Sequence, residues 1–78
     1  MEPATNLSIG QAVEAMRRGE RVARAGWNGK GMWLALQVPD AGSANTLPYV
    51  WIHTVQNDRV PWICSQTDQL ATDWEVVS

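Results

Sequence analysis

The chain has no phenylalanine, one tyrosine, one histidine and one cysteine in 78 residues. Each scarcity excludes something. A single thiol, Cys64, allows no disulfide within the chain, and with no signal peptide ahead of it the expected setting is a reducing cytoplasm. His53 stands eleven positions before Cys64, and two such ligands do not make a zinc site, so no metal is expected. No apolar run approaches the roughly 18 to 20 residues of a membrane span. Six basic residues against eight acidic ones give a formal charge of −2, which argues against DNA or RNA binding built on phosphate neutralisation.

What remains is one small domain, residues 1–78, with a core of limited size. Chains this short are stabilised by disulfides, metals or association, and with the first two removed a homo-oligomer is expected. Five tryptophans are the unusual component. Tryptophan without phenylalanine favours interfaces over an ordinary core. The charge is also uneven. Arg17, Arg18, Arg21, Arg24 and Lys30 fall within fourteen positions, whereas the segment from Asp58 onward carries Asp58, Asp68, Asp73 and Glu75 against Arg59 alone. Such a locally basic stretch suits a small anion better than a polyanion, although Arg17 and Arg18 are also what a helix C-terminus attracts.

Residues 1–6 lack any pattern and are expected to form a loose tail. "LSIGQAVEAMRRG" then reads as a helix, with Ser8 as N-cap, Gln11 completing a capping box, and Leu7 placed to staple onto Ala12. Ile9, Ala12, Val13 and Met16 form its apolar stripe, and Gly19 suits the residue beyond its end. "RVARA" (21–25) is a short strand candidate. "MWLALQV" (32–38) alternates, with Met32, Leu34, Leu36 and Val38 on one face. The polar, breaker-rich stretch 39–46 is expected to be a flexible loop. "PYVWIHT" (48–54) alternates again, and "QND" supplies a turn into "RVPWI" (59–63), where Pro61 demands an edge or a bulge. "SQTDQLA" (65–71) resembles a short helical turn capped by Ser65, and "DWEVV" (73–77) is a last strand. The fold class is therefore α+β, with one N-terminal helix on a small antiparallel sheet of four to five strands. Strand order is not readable.

No catalytic set stands out. Cys64 and His53 form the one possible nucleophile pair, and a strand histidine beside a buried cysteine is an ordinary core arrangement. Asp68 and Asp73 lie five apart and need not share a face, and both suit capping or solvated roles. "GWNGKG" (26–31) has the ingredients of a phosphate loop without its spacing, and it leads into a strand rather than a helix. Binding fares better. Trp27 in this glycine loop and Trp62 before "SQTD" sit where alternation does not require burial. An indole beside loop amides and a lysine can stack on a base while the amides and ammonium hold a phosphate. Equally, Trp27 can fold back and plug the end of the sheet.

Two blocks carry a family resemblance. "RVARAGWNGKGMWL" and "VPWICSQTDQLATDWEVV", with signatures W-N-G-K-G-M and P-W-x-x-S-Q-x-D-x-L-A-x-D-W, resemble a family of small phage and prophage proteins. That family includes the second class of Thoeris anti-defence proteins. The match covers 8–38 and 60–77, while the middle segment, 39–50, is shorter than the resemblance implies. The resemblance implies a non-enzymatic sponge without a cofactor, forming tetramers whose pockets between subunits sequester cyclic nucleotide immune signals. Glycocyclic ADP-ribose is the implied ligand class, with cyclic dinucleotides as a further one, and the host cytoplasm is the implied location. Carried over by residue, Trp27 would stack on adenine. Asn28, Lys30 and the amides of Gly29 and Gly31 would lie near the diphosphate, with Arg24 as a second cation. Gln66, Asp68 and Asp73 would accept hydrogen bonds from ribose hydroxyls, and Trp62 would wall the pocket. The competing readings are a carbohydrate- or protein-binding phage accessory module and a nucleotide-degrading enzyme.

Overall fold

The computed structural model describes residues 5–27, 31–39, 42 and 47–77. Its elements run α1 (Ile9–Arg17), β1 (Val22–Arg24), β2 (Trp33–Gln37), β3 (Tyr49–His53), β4 (Arg59–Pro61), α2 (Gln66–Leu70) and β5 (Trp74–Val76). The expected α+β class is what is found: an N-terminal helix, a five-stranded antiparallel sheet, and a short helix before the last strand.

Helix α1 begins at the expected capping box. Gln11 N–H donates to Ser8 Oγ at 3.2 Å and Ser8 N–H donates to Gln11 Oε1 at 2.9 Å. It ends on Gly19, whose φ of 90° is a left-handed conformation that glycine adopts without penalty. There Gly19 N–H reaches Met16 O at 3.0 Å and Glu20 N–H reaches Ala15 O at 3.1 Å, the paired closure of a Schellman motif. The buried stripe is Ala12, Ala15 and Met16, with Ile9 and Val13 at its margin. Two alanines at its centre bring the helix backbone close to the sheet, which moves the stripe by about one residue from the expected one.

The sheet order is β4-β3-β2-β1-β5. Three neighbours follow from hairpin-like succession, but the chain must then cross from β4 at one edge to β5 at the other. α2 lies in that crossover and packs against α1. Trp62, just before it, packs on the core beneath the sheet. Ala23 and Trp51 are buried on one face, but the main core cluster lies on the other. Val22, Leu34 and Trp74 are fully buried there against α1, and Leu7 joins them at 2% exposure. Leu7 also exchanges backbone hydrogen bonds with Trp74, at 2.8 and 3.1 Å, closing the free edge of β5.

Pro61 falls on the edge strand β4, as its missing N–H requires. The β3–β4 turn uses Asn57 at φ 66°, a conformation asparagine tolerates. Two expectations need correction. Val38 is 66% exposed rather than inward, because pairing stops at Gln37↔Tyr49 and the alternation has nothing beyond it to bury against. Cys64 is exposed rather than buried, since it follows β4 in the crossover and not in a strand. Residues 1–4 of the expected tail, and most of the expected loop 39–46, lie outside the described residues.

Candidate ligand-binding site

The glycine loop leaves the end of β1, and the crossover delivers the segment 62–73 to the same end. The register Arg24↔Trp74 brings the two sequence blocks together there. At their meeting point Trp74, fully buried, is flanked edge-on by two other indoles. Trp27 lies 5.4 Å away at 78°, and Trp62 lies 5.9 Å away at 85°. Edge-to-face geometry of this kind adds to the ordinary burial of large rings. The Trp74 indole N–H donates to the Asp68 carbonyl at 3.0 Å, so its one polar atom is satisfied.

Arg24 holds the polar half of this junction. Its Nε donates to Asp73 Oδ1 at 2.8 Å and its Nη1 to Asp68 Oδ1 at 2.8 Å. The guanidinium side chain is 17% exposed, and the carboxylates are 32% and 15% exposed. Asp73 Oδ2 accepts from Gly26 N–H at 2.8 Å, and Asp68 Oδ1 also accepts from Trp27 Nε1 at 3.2 Å. The Asp73 carbonyl accepts from Ala25 N–H at 3.0 Å. Gly26 has to be small here: a Cβ on it would stand 2.8 Å from Asp73 Oδ2.

The electrostatics follow from these contacts. The Arg24 hydrogen bond holds the Asp73 carboxyl below its ordinary value, against partial burial and with help from the Gly26 amide. For Asp68, burial pushes upward most strongly as a single influence, but the hydrogen bonds from Arg24, Trp27 and Ser65 together outweigh it and the carboxyl is lowered. Both partners in turn make Arg24 hold its proton more firmly. Although Cys64 is exposed, slight desolvation of its thiol, with Asp68 nearby, raises it, which leaves less thiolate for nucleophilic chemistry.

Seven of the ten sequence-predicted residues fall among the described ones. Trp27, Arg24, Asp68 and Asp73 are brought into one network, and Trp62 joins it through Trp74. Gln66 is exposed at the start of α2. Gly31 is exposed with φ 85°, a left-handed conformation at the far end of the loop. Asn28, Gly29 and Lys30 lie outside the described residues. The arginines do not gather into one basic patch. Arg17 pairs with Glu14 at 3.7 Å, Arg18 with Glu20 at 3.2 Å, and Arg21 covers the Trp33 ring at 4.1 Å. The sequence assigns Trp74 to the core or a subunit contact, and it is buried in the core; Gly26 is the residue that sequence reasoning missed. The signal was available in Gly26, a glycine directly before Trp27, but its meaning depends on Asp73 forty-seven residues away.

Beside this network a concavity of about 350 Å³ opens where the loop meets the outer face of the sheet, with Ala23, Arg24, Trp27, Gly31, Trp33 and Glu75 among the residues in its walls. That outer face carries a second aromatic group. His53 stacks on Trp33 at 4.7 Å and 11°, Trp33 meets Trp51 edge-on at 5.0 Å, and Arg59 lies 4.0 Å from the Trp51 centroid. No helix of the described residues is long and apolar enough to cross a membrane.

Comparisons with known proteins cover nearly the whole of this structure. The Thoeris anti-defense 2-like domain matches residues 7–77, which includes both blocks of the site. A curated protein named Thoeris anti-defense 2, from Bacillus phage SP01, is 39% identical over 87 residues, spanning 95% of this chain and 98% of that protein.

Proposed function

Because the chain belongs to the Thoeris anti-defense 2-like family, we propose that it is a phage anti-defence protein that binds a cyclic nucleotide immune signal and withholds it without cleaving it. The observation that carries this reading is the concavity at the glycine loop, walled by Trp27 and Trp33 and reaching Gly31. Indoles supply stacking surface for a purine, and a glycine-rich turn offers backbone N–H groups to a diphosphate. Glycocyclic ADP-ribose is the ligand class that needs both, and cyclic dinucleotides share the same chemistry.

Binding is favoured over turnover by the state of the polar groups. A general base working at neutral pH needs a pKa near that pH, whereas Asp68 and Asp73 are both lowered by Arg24 and already accept protein hydrogen bonds. The raised Cys64 thiol is a poor nucleophile, and its neighbouring hydrogen bond is to the Ser65 carbonyl, not to His53. A sugar-binding module is also less well supported. It would draw on the same indoles, and the family membership, not the ring geometry, weighs against it.

The protein acts as a homo-oligomer, a tetramer in the reading advanced here, with the concavity completed by a neighbouring subunit. At about 350 Å³ it is at the small end of ligand pockets and open on one side. The outer sheet face supports such closure. Register places Glu75 beside Ala23, and Trp33, His53 and Arg59 in line across β2, β3 and β4. The pairing of Val22 with Leu34 sets Ala23 alongside Trp33. One row therefore runs from an acid through aromatics to a base. A second copy related by a two-fold axis would bring Glu75 opposite Arg59, and a two-fold interface is self-complementary in this way. The setting is the cytoplasm of the infected host.

The test is to incubate the purified protein with glycocyclic ADP-ribose isomers and cyclic dinucleotides, remove unbound material, heat-denature, and identify the released species by mass spectrometry. Release of one unaltered class supports sequestration. A converted product would make the protein an enzyme, and no captured nucleotide would reject the reading.

A further inference from the structure

Resting on the sequestration reading, we infer that Asp68 and Asp73 are positioning residues, locked by the Arg24 guanidinium, that set the pose of Gly26 and Trp27 at the entrance to the glycine loop; Arg24 also borders the concavity, whereas neither carboxylate lines it. The geometry is specific. Asp73 grips the backbone of two successive residues, Ala25 through its carbonyl and Gly26 through Oδ2. Asp68 holds the next residue by its indole N–H. Neither carboxylate touches the other's cargo, and the link between them is Arg24, which binds both at 2.8 Å. Arginine suits this task because its planar fork fixes two acceptors at a defined angle, which a lysine ammonium does not.

The arrangement has a consequence for binding. Both oxygens of Asp73 accept protein N–H groups, and Asp68 Oδ1 accepts two. These bonds use about two of the roughly four acceptor sites of each carboxylate, all of them directed at the protein's own N–H groups around Gly26 and Trp27. Fixing a loop before the ligand arrives is itself a source of affinity, since less ordering remains to be done on binding. The three residues thus act through the Gly26 backbone and the Trp27 indole.

The test separates this role from direct contact and from the function itself. In ¹⁵N-labelled ligand-free protein, the Gly26 amide should exchange with solvent at least tenfold more slowly than the Gly31 amide, though both residues are exposed loop glycines. Equal rates would overturn the clamp without any variant being made. Asp73→Asn and Arg24→Gln should each move the Trp27 indole N–H resonance while leaving that of Trp51, on the opposite face, in place. Residue 73 does not touch the Trp27 indole in the hydrogen-bond network, so an unmoved Trp27 signal in both variants would overturn the coupling. In the capture experiment with glycocyclic ADP-ribose, Asp73→Asn should retain at least tenfold less ligand, and full retention with a displaced Trp27 signal would overturn the link to binding. If wild-type protein captures no cyclic nucleotide, the sequestration reading and the binding role fall together, while the exchange and resonance measurements still decide whether the clamp exists.

Discussion

Replacing Gly26 by alanine tests the junction with a single methyl group. The new Cβ would lie 2.8 Å from Asp73 Oδ2 and 3.6 Å from Arg24 Nη2. Comfortable contact needs roughly 3.5 Å, so the carboxylate must retreat by about 0.5–0.7 Å. It has little room to do so, because Oδ1 is held by Arg24 and Oδ2 by the Gly26 amide itself. Loosening hydrogen bonds to a charged group in a partly exposed site costs about 1.5–2 kcal/mol. Alanine gains about 0.4–1 kcal/mol by restricting the unfolded chain. The balance is a loss of about 1 kcal/mol, seen as a fall of roughly 4–8 °C in Tm for a domain of this size. Circular dichroism melts would measure it. Two other glycines calibrate the result. Gly10→Ala, in α1 with Ser8 Oγ at an ordinary 3.8 Å, should raise Tm, because a helical glycine is about 0.5–1 kcal/mol worse than alanine. Gly31→Ala meets nothing within 4 Å but has φ 85°, so it should lower Tm through backbone conformation alone, by about 1–2 kcal/mol. The decisive comparison repeats Gly26→Ala in an Asp73→Ala background, where the carboxylate is gone and the substitution should become neutral or stabilising. A penalty that persists unchanged there would refute the steric and electrostatic reasoning about this site.

Trp74→Phe should cost about 2–3 kcal/mol in urea unfolding, about half from losing the indole's hydrogen bond to the Asp68 carbonyl, which keeps only its long bond from Ala71 N–H, and half from lost ring burial, and a loss below 1 kcal/mol would show that this indole is not the centre of the junction. The folded-state pKa values of Asp68 and Asp73 are both lowered, so on acidification the unfolded chain takes up protons first. The stability from these carboxylates is therefore complete above the ordinary aspartate value and lost as pH falls through the depressed folded values. The Tm difference between wild type and an Asp68→Asn, Asp73→Asn double variant should be constant from about pH 7 to 5 and close in stronger acid; a difference that closes near neutrality would contradict the assignment. On the outer face, Arg59→Glu should split the proposed oligomer in light-scattering measurements, and Glu75→Arg added to it should restore assembly; a monomeric wild type, or failure of the second change to rescue the first, would remove the two-fold pairing.

The secondary structure was largely legible because its signals are local. Ser8 with Gln11, Gly19 and Ser65 mark helix ends within a few residues, and Pro61 identifies an edge by the bond it cannot make. Strand order was not, because it is decided by where the crossover carrying α2 returns to the sheet. The same long-range step hid the site's internal wiring. Arg24, Asp68 and Asp73 stand out as charged residues near aromatic ones, but nothing local says that a guanidinium bonds carboxylates 44 and 49 positions away. The choice between a plugging and a platform role for Trp27 was open for a similar reason. Its packing on Trp74 and its bond to Asp68 make it a plug on one side, while it also lines the concavity, so the two roles are not exclusive. Tryptophan in place of phenylalanine is explained in part by polarity: the Trp74 and Trp27 indole N–H groups both find acceptors on Asp68.

A protein that withholds a signal must bind it stoichiometrically and leave it chemically intact. The most direct measurement is a calorimetric titration with glycocyclic ADP-ribose, followed by heat release and mass analysis of the same sample. Sequestration predicts a Kd in the nanomolar range, about −12 kcal/mol, with the full amount of ligand recovered at unchanged mass. Binding no tighter than micromolar, or recovery of a hydrolysed product, would contradict it.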